Sequence, residues 1–352
     1  MNNSMNNSVN SGMTDGADKI AERKRGFSID LKYIPAIAAI LLFFVAYGIG
    51  GLLYGDRGFL RLRTFTSIFT DNAYLGVSAV GMTLVIVSGG IDLSVGSVAA
   101  LSTMLIAYCT EELGMNSSLI LCAALAVGSF LGFLMGVLIE KLSVPPFIST
   151  LIGMFLARGL CFIISIQSIT INDTFLRALG KWKIKLPQNS YINLSVILFA
   201  VMLVVGVVVM RYTRFGRGVY AFGGNRQSAK LMGLPTARIQ IGIYTFSGFC
   251  SALSGVLFAF YTFSGYGRHL YGMEMDVISS VVIGGTLLSG GVGYPLGSLF
   301  GIMIYSIILK FISFNGTLSS WWTKIAVGVL LLFFIVMQRF IVYVAGRKRG
   351  RT

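Results

Sequence analysis

Few side chains in this 352-residue chain are equipped for covalent chemistry. There is one histidine, His269, and no H-E-x-x-H or C-x-x-C pattern. No G-x-G-x-x-G stands in the strand–helix setting that would bind a dinucleotide, and the phosphate-binding pattern G-x-x-x-x-G-K-[ST] is missing. ATP therefore has no binding motif of that type here. The four cysteines, Cys109, Cys122, Cys161 and Cys250, lie in apolar stretches without metal-ligand spacing and read as packing residues. What stands out is ionisable groups in apolar surroundings, where a charge is expensive and marks a function by default. Asp92 lies in Ser88-Gly89-Gly90-Ile91-Asp92-Leu93-Ser94. Either it lines a polar pathway, or it or Ser94 caps the helix that restarts after the two glycines. Arg158 lies inside an apolar run and needs a partner, for which Glu274 or Asp276 is a candidate. Those two acids, at i,i+2, do not share a helical face. Asp276 can begin a helix, and the alternative for the pair is contact with an incoming polyhydroxylated solute or a docking protein. A membrane-embedded enzyme acting on lipid or glycan would need clustered carboxylates or histidine, which this chain does not offer.

The elements that must position these groups follow from composition. Hydrophobic residues make up 55% and charged residues 12%, against about 25% charged in a soluble domain. Mean hydropathy is +0.80. Apolar runs of this length must be solvated by lipid, where only helices or closed barrels satisfy the backbone. The runs lack the alternation of barrel strands, so the fold class is all-α, a polytopic helical bundle. The 43 glycines fit helices that approach closely in a membrane.

Runs near the 20 or so residues a span requires predict about ten spans. They are Tyr33–Leu53, Ala73–Ser88, Ile91–Cys109, Leu119–Ile139, Phe147–Gln167, Ile192–Met210, Ile239–Tyr261, two from about Val277 and Leu296, and Ile325–Val344. Residues 33–344 form the transmembrane domain. Residues 1–32 form a polar tail, expected to be disordered and with no cleavable signal peptide. Residues 345–352 form a basic tail.

With ten spans both termini share one side, which also holds the turn at Lys141 and the loop 211–238. Seventeen Lys and Arg fall there and eight opposite. The bias places the termini and the loop in the cytoplasm, although Arg57, Arg61 and Arg63 run against it. The net charge of +15 is thus read as membrane topology, with no nucleic-acid partner. The loop carries six basic residues and no acid. Asn225 can cap a short helix over 227–232, with Gly233 as its stop. Such a helix is a docking element for a partner, or the loop is simply a basic surface attracted to anionic headgroups.

Two segments repeat one pattern, S-G-G-[IV]-x-x-x-[VL]-G-S-[VL], at Ser88–Val98 and Ser289–Leu299. Transporters are commonly built from repeats with broken helices beside the pathway. A glycine break at membrane depth is tolerated only when buried in protein or lining a cavity. Gly89, Gly90, Gly290 and Gly291 mark two such breaks.

Gly81-Met82-Thr83-Leu84-Val85-Ile86-Val87-Ser88-Gly89-Gly90-Ile91-Asp92-Leu93-Ser94-Val95-Gly96-Ser97 closely resembles the signature of ribose-type permeases of bacterial ABC sugar importers. The likeness continues through Thr213-Arg214-Phe215-Gly216-Arg217, through Gly223-Gly224-Asn225 with Gly233, and through Val282-Ile283-Gly284-Gly285-Thr286-Leu287-Leu288-Ser289-Gly290-Gly291. It covers the chain from about Phe59 to Arg339. Within that family the chain is most similar to permeases of galactofuranose importers. Thr70-Asp71-Asn72-Ala73, Gly153-Met154-Phe155 and Gly316-Thr317-Leu318-Ser319-Ser320-Trp321-Trp322-Thr323-Lys324-Ile325-Ala326 carry that likeness. A departure is Ser264–Leu270, charged where small apolar residues are expected.

The resemblance implies a permease of the bacterial inner membrane that moves a monosaccharide, galactofuranose or a related sugar, by alternating access. It implies a second permease subunit, identical or not, a cytoplasmic ABC ATPase carrying ATP and magnesium, and a periplasmic sugar-binding protein. No cofactor is expected on this chain. Carried over by position, Gly223, Gly224, Asn225, Ala229 and Gly233 form the ATPase-coupling element. Asn72, Gly89, Gly90, Asp92, Ser94, Arg158, Glu274, Asp276, Gly290 and Gly291 are candidates for the pathway or its helix breaks. The rival reading is an ion-coupled secondary transporter, for which Asp92 is the sole good ion site.

Overall fold

The computed structural model describes residues 34–319 and 321–349, the last nine as backbone only. The polar N-terminal tail lies outside the described residues. Among those described, the chain is predominantly helical. It runs as α1 (Ile34–Tyr54), α2 (Leu62–Thr70), α3 (Ala73–Val87), α4 (Val95–Glu111), α5 (Ser117–Lys141) and α6 (Pro146–Ile164). There follow α7 (Thr174–Lys181), α8 (Leu194–Tyr212), α9 (Arg214–Gly224), α10 (Arg226–Leu231) and α11 (Thr236–Thr262), and then α12 (Met273–Ile283), α13 (Pro295–Asn315) and α14 (Trp321–Arg349).

Each of the ten predicted spans falls on a helix, but they are not equal. Among the described residues seven helices are long and apolar enough to cross a bilayer, or eight when α2 and α3, bent by 51°, count as one span. At 1.5 Å per residue, α4 reaches about 25 Å and α12 about 16 Å, short of a hydrocarbon core near 30 Å. The difference lies in the repeat segments. Residues 88–94 and 284–294 are non-helical, so hydropathy had counted break residues as span.

Helix starts follow local chemistry. Asn116, Asp173 and Asn193 cap α5, α7 and α8 by accepting the amides of Ser118, Leu176 and Val196. Pro146 opens α6 at a position that has no intrahelical amide bond to lose. The polar stretch with Lys181, Lys183 and Lys185 folds as α7 and an antiparallel hairpin, β2 (Lys183–Leu186) with β3 (Ser190–Asn193). A second short pair joins β1 (Ile169–Thr170) to β4 (Ser264–Gly265). These small strands were not anticipated.

The core is organised around α11 and α3. Fourteen of the fifteen residues of α3 are buried, so its apolar side chains are solvated by protein. The outer helices α1, α6, α8 and α14 instead expose large apolar residues such as Leu52, Ile163, Val204 and Leu332. Helix α5 lies on α11 through Gly128, Gly132 and Gly136, a spacing of four that lets backbones meet. A Cβ on Gly132 would stand 2.2 Å from the carbonyl oxygen of Tyr244. Backbone cannot swing aside as a side chain does. Gly132→Ala should therefore cost about 1–3 kcal/mol of stability, read as a lower unfolding temperature in detergent. Gly159→Ala, with nothing within 4 Å of its Cβ position, should leave that temperature unchanged.

Candidate functional site

The two glycine breaks, 88–94 and 284–294, meet. Val87 ends α3, and its carbonyl would be one of the orphans at a helix C-terminus. It accepts the amide of Gly291 at 2.8 Å. Gly89, Gly290 and Gly291 all have positive φ, the left-handed region that glycine enters freely. A third glycine pair, at the C-terminal end of α9, closes on the same point. A Cβ on Gly223 would lie 1.8 Å from the Val87 oxygen and 2.9 Å from the Gly291 nitrogen. One on Gly290 would lie 2.9 Å from the Gly223 oxygen and 3.0 Å from the Gly89 nitrogen. Gly89, Gly223-Gly224 and Gly290-Gly291, far apart in sequence, thus form one backbone node, while a Cβ on Gly90 would instead meet the Tyr244 hydroxyl of α11.

From the node the chain passes into α10, the short helix expected over 227–232. Asn225 caps it by accepting the Ser228 amide at 2.8 Å. Gly233 stops it at φ +76. Ala229 is the one buried residue of α10, while Leu231 and the following Met232 are 84% and 68% exposed. Two apolar side chains on an exposed knob are unusual on a solvated loop and suit a docking face. Helix α9 adds to the single short helix that the sequence predicts within the loop 211–238. Its basic residues concealed the apolar positions Val219 and Phe222, both buried. Tyr220 of α9 donates to the Gly293 carbonyl at 2.6 Å. Arg226 pairs with Glu140 at the end of α5 at 2.6 Å and lies over the Phe222 ring. Reasoning from sequence missed Tyr220 and Glu140.

Asp92 is fully buried. One carboxylate oxygen accepts the Ser94 amide at 2.9 Å and the Ser94 hydroxyl at 2.6 Å. The other accepts the hydroxyl of Ser247, on α11, at 2.7 Å. The side-chain cap on α4 that one reading expects is made by neither Asp92 nor Ser94; Asp92 instead acts as a brace. Asp92 fixes the turn just before α4, and Ser94, at the cap position, makes no side-chain cap of its own. The Ile91 carbonyl accepts from Thr150 of α6 at 3.2 Å. Helix α3, which leads into the first repeat, is joined to the second by Thr83 and Ser298, whose hydroxyls lie 2.7 Å apart.

The remaining candidates sit toward the other end of α3 and α12. Asn72 is buried at the bend between α2 and α3 and donates to the Ile68 carbonyl. Asp276 accepts both contacts of Lys324, of α14, at 2.7 Å, and the Tyr305 hydroxyl at 3.2 Å. Arg158 is satisfied differently from expectation. It donates to the carbonyls of Gly267 and His269, at 2.6 and 2.8 Å, and lies over the Tyr271 ring. Neither Glu274 nor Asp276 is its ion-pair partner. The cause is the loop 266–272, which turns its carbonyls toward the guanidinium. Glu274 packs against the first turn of α4, where a Cβ on Gly96 would meet its carboxylate. Lys310 pairs with Asp71 at 2.7 Å. Lys310 and Lys324 were missed, although both are cations inside or at the edge of apolar runs, the signal that singled out Arg158. Among the described residues no three His, Cys, Asp or Glu side chains are grouped to hold a metal ion.

The geometry is that of a helical membrane protein with a broken-helix centre tied to an exposed knob, and known proteins share this sequence. A family model described as "Branched-chain amino acid transport system / permease component" matches residues 64–336. The inner membrane ABC transporter permease protein YjfF of Escherichia coli K12 is 47% identical over 282 residues, 80% of this chain and 85% of that one. The fructose import permease protein FruG of Bifidobacterium longum is 40% identical over 342 residues, 96% of this chain and 99% of that one. The ribose import permease protein RbsC of Escherichia coli K12 is 32% identical over 283 residues, 80% of this chain and 87% of that one. No solved structure matches the chain. With the family match spanning most of its length and relatives that align nearly end to end, the chain belongs to the family of multi-pass membrane permease components of ABC transporters.

Proposed function

We propose that this chain is the sugar-translocating permease of an ABC importer, moving galactofuranose or a related monosaccharide inward across the bacterial inner membrane. The class of solute is supported by the import permeases for fructose and ribose among its relatives. The finer assignment rests on the resemblance carried by Gly316–Ala326 and Gly153-Met154-Phe155. The excess of Lys and Arg in and around the loop 211–238 supports a cytoplasmic side for the node and α10, where a partner ATPase with its ATP and magnesium would dock. A second permease subunit completes the pathway, and a periplasmic binding protein delivers the sugar.

One observation carries this reading: the exposed helix α10 leads directly into a backbone node holding both broken helices. A partner gripping Leu231 and Met232 moves α10, and with it Gly223. There is no free side-chain length at that point to absorb the displacement. ATP-driven closure of the ATPase and arrival of the loaded binding protein supply the differential affinity that any such shift requires. The chain itself makes and breaks no covalent bond. Ion coupling through Asp92 is set aside by the family and by the three hydrogen bonds that already occupy that carboxylate.

The test is uptake and ATP hydrolysis in proteoliposomes holding the permease with its ATPase and binding protein. Galactofuranose should stimulate hydrolysis and enter; stimulation by ribose or fructose with none by galactofuranose would overturn the finer assignment. Gly223→Ala should reduce sugar-stimulated hydrolysis roughly 5- to 150-fold, the span of ordinary coupling energies, with membrane insertion intact. Gly224→Ala, whose Cβ meets nothing within 4 Å, is expected to keep the coupling, and an equal loss there would remove the node from the mechanism. Asn225→Ala loses a helix cap worth about 1 kcal/mol, so a partial, roughly fivefold loss of coupling is the expected result.

A further inference from the structure

Beside the node, on the flank of the bundle, lies a cleft of about 460 Å³ at the junction of α8, α9 and α13. That volume is within the roughly 300–1,000 Å³ of small-ligand sites. Arg211 and Arg217 line it with Tyr220 and Tyr294, and Met210 and Leu296 contribute an apolar floor. No acid lines it. Both arginines are exposed. The positive end of α13, which starts at Pro295 with no side-chain cap, belongs to the same wall.

Its position names the occupant. On α8, Val204, Val208 and Arg211 fall at i, i+4 and i+7, one helical face. The two valines are exposed and belong to the apolar stripe that meets lipid tails. The stripe ends at Arg211, so the cleft begins where acyl chains give way to headgroups. An apolar floor continuous with the hydrocarbon, topped by two guanidiniums and a helix N-terminus, matches an amphiphile with a phosphate head. Basic pockets between helices at a membrane face recognise anionic headgroups in this way. The geometry points to a structural site for one anionic phospholipid, its phosphate between Arg211 and Arg217 and its acyl chains along α8.

The site borders the machinery described above. Tyr220, in its wall, donates to the Gly293 carbonyl within the second break. Tyr220 and Tyr294 also pack ring against ring, 6.4 Å between centroids. A bound lipid therefore holds α9 against the start of α13.

Native mass spectrometry of the full-length permease tests this, with dioleoyl phosphatidylglycerol and dioleoyl phosphatidylcholine as probes. The wild type should retain phosphatidylglycerol preferentially. The exposed double variant R211Q/R217Q should lose that retention roughly thirtyfold, about fivefold for each guanidinium. The control K183Q/K185Q, on the hairpin, should keep it. In a second measurement, phosphatidylglycerol added to the detergent-solubilised protein should raise its unfolding temperature, and Leu296→Trp, which fills the floor, should abolish the rise. Equal retention of the two lipids, or unchanged retention in R211Q/R217Q, would overturn the proposal. So would an equal stabilisation by inorganic phosphate alone, since the cleft would then be an anion site and not a lipid site. Neither measurement involves sugar or ATPase, so its failure is separable from failure of the transport reading.

Discussion

Interrupting a helix leaves carbonyls and amides without intrahelical partners, and each one buried unpaired costs about 1–3 kcal/mol. The two repeat segments each impose such an interruption on this chain. Its solution is to set the breaks against one another so closely that only glycine fits. The Val87 carbonyl, freed by the end of α3, takes the Gly291 amide from the other break, and Gly223 fills the remaining space without a side chain. Much else follows from that contact. It fixes where α3 ends, where α13 can begin and how near the node α9 must lie. It also explains Gly89, Gly290 and Gly291, which make left-handed turns at the approach.

Around the node, polar side chains act as struts. Asp92, Ser94 and Ser247 tie the first break to α11. Thr83 and Ser298 tie α3 to α13. Glu140 and Arg226 tie the knob to the end of α5. That ion pair is more than half exposed on the arginine side, and exposed pairs contribute at most about 1 kcal/mol. It orients α10 more than it stabilises the bundle. The buried hydroxyls are different. Removing one would leave an acceptor without its donor in a place that water does not reach, a cost of about 1–3 kcal/mol.

The sequence made the long helices legible because apolar runs of about 20 residues admit one solution in lipid. The cap at Asn225 and the stop at Gly233 were legible because capping is local. The repeat gave the two breaks but not their meeting, since a contact between Val87 and Gly291 leaves no trace in composition. Helix α9 was hidden by charge: six basic residues in 211–238 made the stretch read as a polar loop with one short helix, while its buried face needs only Val219 and Phe222. Arg158 misled because a buried cation suggests an acid, and backbone carbonyls, which every residue carries, can serve instead. Lys324 and Asp276 were both visible as ionisable residues. Their pairing across α12 and α14 was not, because nothing local relates positions 48 apart.

The repeat is also where the two halves diverge, and the divergence bears on how movement would pass through the molecule. Asp92 and Gly293 occupy the same position of the shared pattern. At the first break that position supplies a carboxylate, which fastens the turn to Ser247 in the middle of the core. At the second it supplies only a carbonyl, fastened to Tyr220 of α9. The first break is therefore anchored to the buried scaffold of α3, α4 and α11, and the second to the exposed element that leads to α10. Under the proposed function a pull on α10 acts on both breaks at the glycine node, but only the second has its turn bonded to the element being pulled. The first resists through the bond from Ser247 of α11 to its buried carboxylate. Relative motion of α12–α13 against α3–α4 is then the direction of least resistance, and the Thr83–Ser298 contact, one hydroxyl pair between the halves, lies on the line along which they would slide.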